Sequence, residues 1–319
     1  MPTLRPCFSL GWVILLALVD GVLIGFLTVG AALALFTDTF DNTGNTLTAD
    51  TLDPPTGLVA SVVGSDIRLD WTPTVDTYAT GYNVLRGTDS GGPYGQIDSV
   101  TPRTATTYTD NTAAAGTRYY YVLQSYYQNW LSVYSNEANA AVPLNTGWRS
   151  PTAQAAVTSG SGDNNGFELN PTNAFADGGG YAEDVNSGTN TTTACDNTGK
   201  DRHVFYNYGF TIPDGQTIDG IEVRLDAWID GGSATTRYMC VELSWDGGTT
   251  WTAAKTTATL TTSETTYVLG SATDTWGRTW GSADFSDANF RLRITNVAPN
   301  NTRDFRLDWV PVQATYTPP

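Results

Sequence analysis

The chain has 319 residues, of which 40% are hydrophobic, 12% aromatic and only 15% charged, and 16 basic against 32 acidic side chains leave a formal net charge of −16. That balance excludes a nucleic-acid binder, which needs a basic footprint, and the aromatic content excludes a largely disordered chain. Abundant Gly, Thr, Asn and Ser suit short strands joined by many turns and suit long helices poorly, so the expected fold class is all-β.

Residues 1–36 are the exception. Arg5 is the only charge before Asp20, the next basic residue is Arg68, and the stretch from Cys7 to Phe36 is almost wholly apolar. Such a run is long enough to cross a bilayer as a helix, and the positive-inside rule places everything after it outside the cell. The expectation is an N-terminal hydrophobic helix over 1–36, acting as signal peptide or signal anchor. Ala32-Leu33-Ala34 is an A-x-A pattern behind an apolar region, which places cleavage after Ala34. Uncleaved, the same helix would be the chain's membrane partner.

Residues 37–53 read as an extended leader or tether. Phe36-Thr37-Asp38, followed by Asn45, Ala49, Leu52 and Asp53, resembles the mature start of exported proteins related to TasA and camelysin. The resemblance is confined to this stretch and implies fibre-type assembly with neighbouring subunits.

Residues 54–143 alternate in the manner of half-buried strands. Ile67, Leu69 and Trp71 are spaced by Arg68 and Asp70, Gly81 to Arg86 forms the next strand, and Asp89-Ser90-Gly91-Gly92-Pro93 is a turn cluster. Strands follow at Thr107–Asp110 and at Gly116–Leu123, and Ser132 to Val142 is expected to close the sheet. With Pro54-Pro55-Thr56-Gly57-Leu58 at its start, the segment resembles a fibronectin type III domain throughout. The resemblance implies that Trp71 packs the core and that Tyr119 forms the tyrosine corner, its hydroxyl bonding back to nearby backbone. The aromatic loop holding Tyr126, Tyr127 and Trp130 sits where such domains often bind partners.

Residues 144–319 read as a second, larger sandwich. Ile221, Val223, Leu225 and Ala227 share one strand face; Met239, Val241, Leu243 and Trp245 share another, before the turn Asp246-Gly247-Gly248. Asn170-Pro171-Thr172-Asn173-Ala174-Phe175, Ser244-Trp245-Asp246-Gly247-Gly248 and Leu307-Asp308-Trp309-Val310 resemble a jelly-roll domain of large bacterial surface proteins. More loosely, the segment resembles carbohydrate-binding jelly rolls that carry calcium at a sandwich edge. Asn173, Asp177, Glu183 and Asp184 lie within one Gly-rich stretch and offer hard oxygen ligands for Ca²⁺. The resemblance adds Asp308 to that set.

Cys195 and Cys240 are an even pair in an exported domain and are expected to form a disulfide, the alternative being two buried thiols. There is no G-x-S-x-G, no H-E-x-x-H and a single histidine, His203, so standard hydrolytic and zinc machinery is absent. A glycosidase needs only two carboxylates, and Glu168, Glu183, Asp184, Glu222 and Glu242 are present. The expected function is that of a non-enzymatic cell-surface protein, structural or adhesive, whose partners are other surface proteins, neighbouring subunits or extracellular glycans. The alternatives are a carbohydrate-binding surface protein and, less favoured, a glycosidase.

Overall fold

The structure is a computed structural model that describes residues 51–157, 165–187, 194–196, 201–231, 237–299 and 302–319. The first sandwich contains β1 (Thr56–Val63), β2 (Asp66–Thr72), β3 (Gly81–Gly87), β4 (Gly95–Val100), β5 (Thr107–Asp110), β6 (Arg118–Tyr127), β7 (Trp130–Leu131) and β8 (Ala138–Ala141). One sheet runs β1-β2-β5; the other runs β4-β3-β6-β7, with β8 also paired to β6. All pairings are antiparallel. The period-2 residues of the facing strands meet between the sheets: Leu58, Ile67, Leu69, Trp71, Tyr82, Val84, Tyr121 and Leu123 form the core. Trp71 meets the edge of Tyr82 at 5.4 Å, and the Tyr82 hydroxyl donates to Arg103 O at 2.6 Å while accepting from Thr74 N–H at 3.0 Å. Tyr119 lies across the Arg86 guanidinium, and its hydroxyl accepts from Ala114 N–H at 3.4 Å.

The expected closing strand over Ser132–Val142 is shorter than its pattern suggests, since only Ala138–Ala141 joins the ladder. Polar side chains take over backbone groups before it. Ser132 Oγ accepts from Ser125 N–H, Ser135 Oγ accepts from Leu123 N–H, and Asn136 both accepts from and donates to the Leu58 backbone. Short hydroxyl and amide side chains compete with ladder bonds in this way.

The second sandwich begins with β9 (Leu144–Asn145). It continues with β10 (Ala153–Ala156), a 3-10 turn at Pro171–Ala174, β11 (Ala182–Asp184), β12 (Arg202–Tyr206), β13 (Thr217–Ile229), β14 (Tyr238–Ser244), β15 (Lys255–Thr256) and β16 (Thr265–Ser271). A 3-10 turn at Ser282–Phe285 precedes β17 (Arg291–Val297), β18 (Phe305–Trp309) and β19 (Val312–Thr317). One sheet runs β10-β12-β17-β14-β15, the other β11-β18-β13-β19-β9 with β16 on the far side of β13. Ile221, Val223, Leu225, Ala227 and Ile229 of β13 face Met239, Val241, Leu243, Leu292 and Ile294 across the core, each fully buried.

β18 and β19 run along β13 as one interrupted strand. Pairs from Gly220↔Thr315 to Asp226↔Trp309 keep a single register through the break at Pro311, whose carbonyl accepts from Arg224 N–H. The register then slips between Asp226↔Trp309 and Ala227↔Leu307, so Asp308 is the extra residue of a β-bulge. Leu307 and Val310 stay in the core, and the bulge leaves Asp308 and Trp309 outside it.

The expected fold class needs one correction. Among the described residues the helical segments are two four-residue 3-10 turns, and no helix is long and apolar enough to cross a membrane. The described chain is all-β without a hydrophobic helix. The segment 1–36 expected to form one, the leader up to residue 50 and the cleavage point after Ala34 lie outside the described residues.

Candidate functional site

The bulge sets up a recess on the outer face of the β13 sheet. Arg224 and Asp226 on β13 lie outside the core, and the loop after the Pro171–Ala174 turn folds over them: Phe175 bridges to Trp309, Val310 N–H donates to Ala174 O, and Gly178 N–H donates to Asp308 Oδ2 at 2.9 Å. Gly178, Gly179 and Gly180 have φ of 76°, 124° and 144°, a run that only glycine takes without strain. At Gly180 a Cβ would also meet Asn173 Nδ2 at 2.6 Å. Glu264 reaches in from the residue just before β16.

Carboxylate oxygens of Asp177, Glu264 and Asp308 lie within 4.8 Å of one another. Asp177 and Glu264 are exposed, whereas Asp308 is 4% exposed and its Oδ1 is buried with no hydrogen-bond partner. Asp226 is buried beside them. It is held by Arg224 at 2.7 Å and by the Thr266 hydroxyl at 2.5 Å. Arg224 also lies 3.7 Å from Asp177 and 4.7 Å from the centre of the Trp309 ring. Burial, followed by repulsion from Asp308, Asp226 and Asp177, raises the Glu264 carboxyl above its ordinary range. Burial, then Asp177 and Asp226, raises Asp308 against the lowering effect of the Gly178 N–H.

Of the five residues expected to bind calcium, the fold brings Asp177 and Asp308 together and sends the other three elsewhere. Asn173 Nδ2 donates to Tyr181 O at 3.2 Å. Glu183 and Arg306 are cross-strand partners between β11 and β18, and their side chains pair at 2.7 Å. Asp184, next along the strand, points the other way and is fully buried, with Asn296 Nδ2 donating to its Oδ2 at 2.7 Å. Glu264 was not anticipated: it stands 87 residues from Asp177 in a Thr-rich turn, and no local pattern marks it.

The remaining expected positions fall on two other surfaces. Tyr127 and Trp130 are each 38% exposed and Tyr126 is half-buried. Tyr78 joins them, stacked on Trp130 at 5.8 Å and edge-on to Tyr127 at 5.9 Å. Cys195 and Cys240 are disulfide-bonded, with Cα atoms 5.8 Å apart. Of the carboxylates considered for catalysis, Glu242 is bound to Arg293 at 2.7 Å and Glu222 accepts from Gln313 at 3.3 Å.

The first sandwich is an antiparallel β-sandwich within an all-β chain. Among solved structures the chain is similar to an Fn3-like protein from Clostridium thermocellum, at 37% identity over 30% of this chain and 97% of that one, TM-score 0.26. It is also similar to an FN3 domain of human collagen XX, at 26% identity over 30% and 98%, TM-score 0.24. A β-1,2-glucanase from Parabacteroides distasonis matches at 22% identity over 31% of this chain and 14% of that one, TM-score 0.26. No family model and no curated protein matches the chain. These similarities do not show the resemblances of the second sandwich to jelly rolls or of the leader to TasA.

Proposed function

We propose that this is a non-catalytic, extracellular structural or adhesive protein of the cell surface, in which the fibronectin-like sandwich is a spacer and the larger sandwich a packing unit. The observation that carries the reading is the fate of the aromatic rings in the second sandwich. Among its described residues no Trp or Tyr is exposed, and the protein's own cations cover ring faces that a sugar would need. Arg278 lies over Trp245 at 4.0 Å and Trp280 at 4.4 Å, Arg293 over Trp251 at 4.2 Å, Arg224 over Trp309 at 4.7 Å, and Arg306 over Tyr181 at 5.2 Å. Such stacking contributes to stability. The disulfide supports an oxidising compartment, and the excess of acid supports solubility there.

A second reading has its own observation. On the first sandwich Tyr127 and Trp130 are exposed beside the half-buried Tyr78, a set of rings available to a glycan or protein partner. A glycan array with the purified protein, beside electron microscopy of the native cell surface, separates the two. The structural reading expects no glycan signal and a regular surface feature that is lost when the gene is deleted. A saturable glycan signal abolished by Trp130→Ala would replace it with the carbohydrate-binding reading.

A further inference from the structure

The recess formed by the β18 bulge, the triple-glycine loop and the turn before β16 has the chemistry of an ion site, and we infer that it binds one calcium ion through Asp177, Glu264 and Asp308. Two ligand oxygens on one Ca²⁺, each at about 2.3–2.6 Å, stand up to roughly 5 Å apart. The three carboxylate oxygens lie within 4.8 Å of one another, a spacing that fits ligation of a single ion.

Asp308 is the observation that points to a cation rather than to a merely acidic surface. The residue is 4% exposed, Gly178 N–H occupies Oδ2, and the buried Oδ1 has no donor. A buried carboxylate oxygen with nothing to bind is costly unless a positive charge meets it. The cation already present, Arg224, is committed elsewhere: it pairs with Asp226 at 2.7 Å, lies over Trp309 and reaches Asp177 only at 3.7 Å. Four carboxylates therefore face one guanidinium. A divalent ion would balance the charge and reverse the mutual repulsion of Glu264 and Asp308.

The donor set selects the metal. All three ligands are carboxylates, with neither His nor Cys in the group, which favours a hard ion over zinc or copper. One ligand sits on a glycine loop free to adjust, one on a turn and one on a sheet bulge. That mixture suits the irregular coordination of calcium better than the strict octahedron of magnesium, with main-chain oxygens and water completing the shell. The bound ion would join three segments that are distant in sequence, fixing the loop over the sheet.

The test uses the full-length protein stripped with chelator. Isothermal titration with CaCl₂ should show one saturable site with a dissociation constant on the order of 10⁻⁴–10⁻³ M, as in extracellular calcium modules. Terbium should give luminescence sensitised by Trp309 and displaced by calcium. Glu264→Gln and Asp177→Asn, both at exposed positions, should each weaken calcium at least about tenfold, as expected when ligand charge is removed, with the circular dichroism spectrum unchanged. Glu222→Gln, whose partner is Gln313, should bind as the wild type does. Absence of a saturable calcium heat, wild-type affinity in Glu264→Gln, or displacement of terbium by magnesium more readily than by calcium would each overturn the assignment.

Discussion

His203 Nε2 lies 2.6 Å from Gln154 Oε1, and its Nδ1 accepts from Phe167 N–H at 3.2 Å. An acceptor on one side and a donor on the other leave a neutral ring with its proton on Nε2. The ring is 2% exposed, packed against Phe167 and Phe205, and burial pulls its pKa from 6.5 down to about 4. The unfolded chain therefore takes up this proton first. The stability is complete above about pH 6.5 and is lost as pH falls toward 4, by up to about 3 kcal/mol. Urea denaturation of the wild type and His203→Gln across that range should show the excess slope in the wild type alone; parallel curves would contradict it.

Reducing the Cys195–Cys240 bond should cost several kcal/mol. The two residues are 45 positions apart, and closing a loop of that length is worth about 4 kcal/mol in the chain-entropy account. Cys240→Ser should lower the denaturation midpoint under oxidising conditions and should remove the effect of added reductant. Wild-type stability in the variant would show that the bond contributes nothing.

Asp184→Asn should stabilise the protein at pH 7. Asp184 is fully buried; burial and then the neighbouring Asp201 raise its carboxyl well above 3.8, while Asn296 opposes them. A carboxyl with a raised folded pKa contributes most below its unfolded value and loses that contribution as pH rises. The neutral amide has no such loss and can still accept from Asn296. The advantage should shrink to nothing below about pH 4, and a variant less stable than the wild type at pH 7 would refute it.

Gly270→Ala should be among the most damaging single changes, by roughly 3 kcal/mol or more. Gly270 has φ of 84° one residue before the end of β16, and an added Cβ would collide with the Ile221 carbonyl oxygen and come within 2.8 Å of Trp276 Nε1. That indole donates to the same carbonyl at 2.9 Å and holds Trp276 at φ of 54°. Thermal denaturation reads the loss; a midpoint within a degree or two of the wild type would exclude the clash.

Strand positions were legible because burial follows a period of two, and Ile221, Val223, Leu225 and Ala227 lie in the core as their alternation requires. Asp177 and Asp308 could be named from loop composition and from resemblance. What decides their meeting is a one-residue slip in the register of β18, which changes which face Asp308 serves and leaves no compositional trace. Glu183 and Asp184 are neighbours in sequence, yet neighbours on a strand face opposite ways: one pairs with Arg306 outside, the other is buried inside. Glu264 needed the β13–β16 pairing to reach the recess, and that is a non-local fact.

The segment between the sandwiches is itself part of a sheet. Leu144 and Asn145 pair with Tyr316 and Thr315, Thr146 N–H donates to Ala314 O, and Arg149 exchanges both backbone bonds with Val312. Little slack is left between the end of β8 at Ala141 and the first paired residue of the next sheet. A pull along the chain through Pro143 would therefore load these bonds against β19 as shear, before any coil could extend. β19 lies against β13, so tension would pass directly into the longest strand of the second sandwich. The junction behaves as a mechanical coupling, and cutting its bonds, rather than lengthening a spacer, is what would let the two ends move apart.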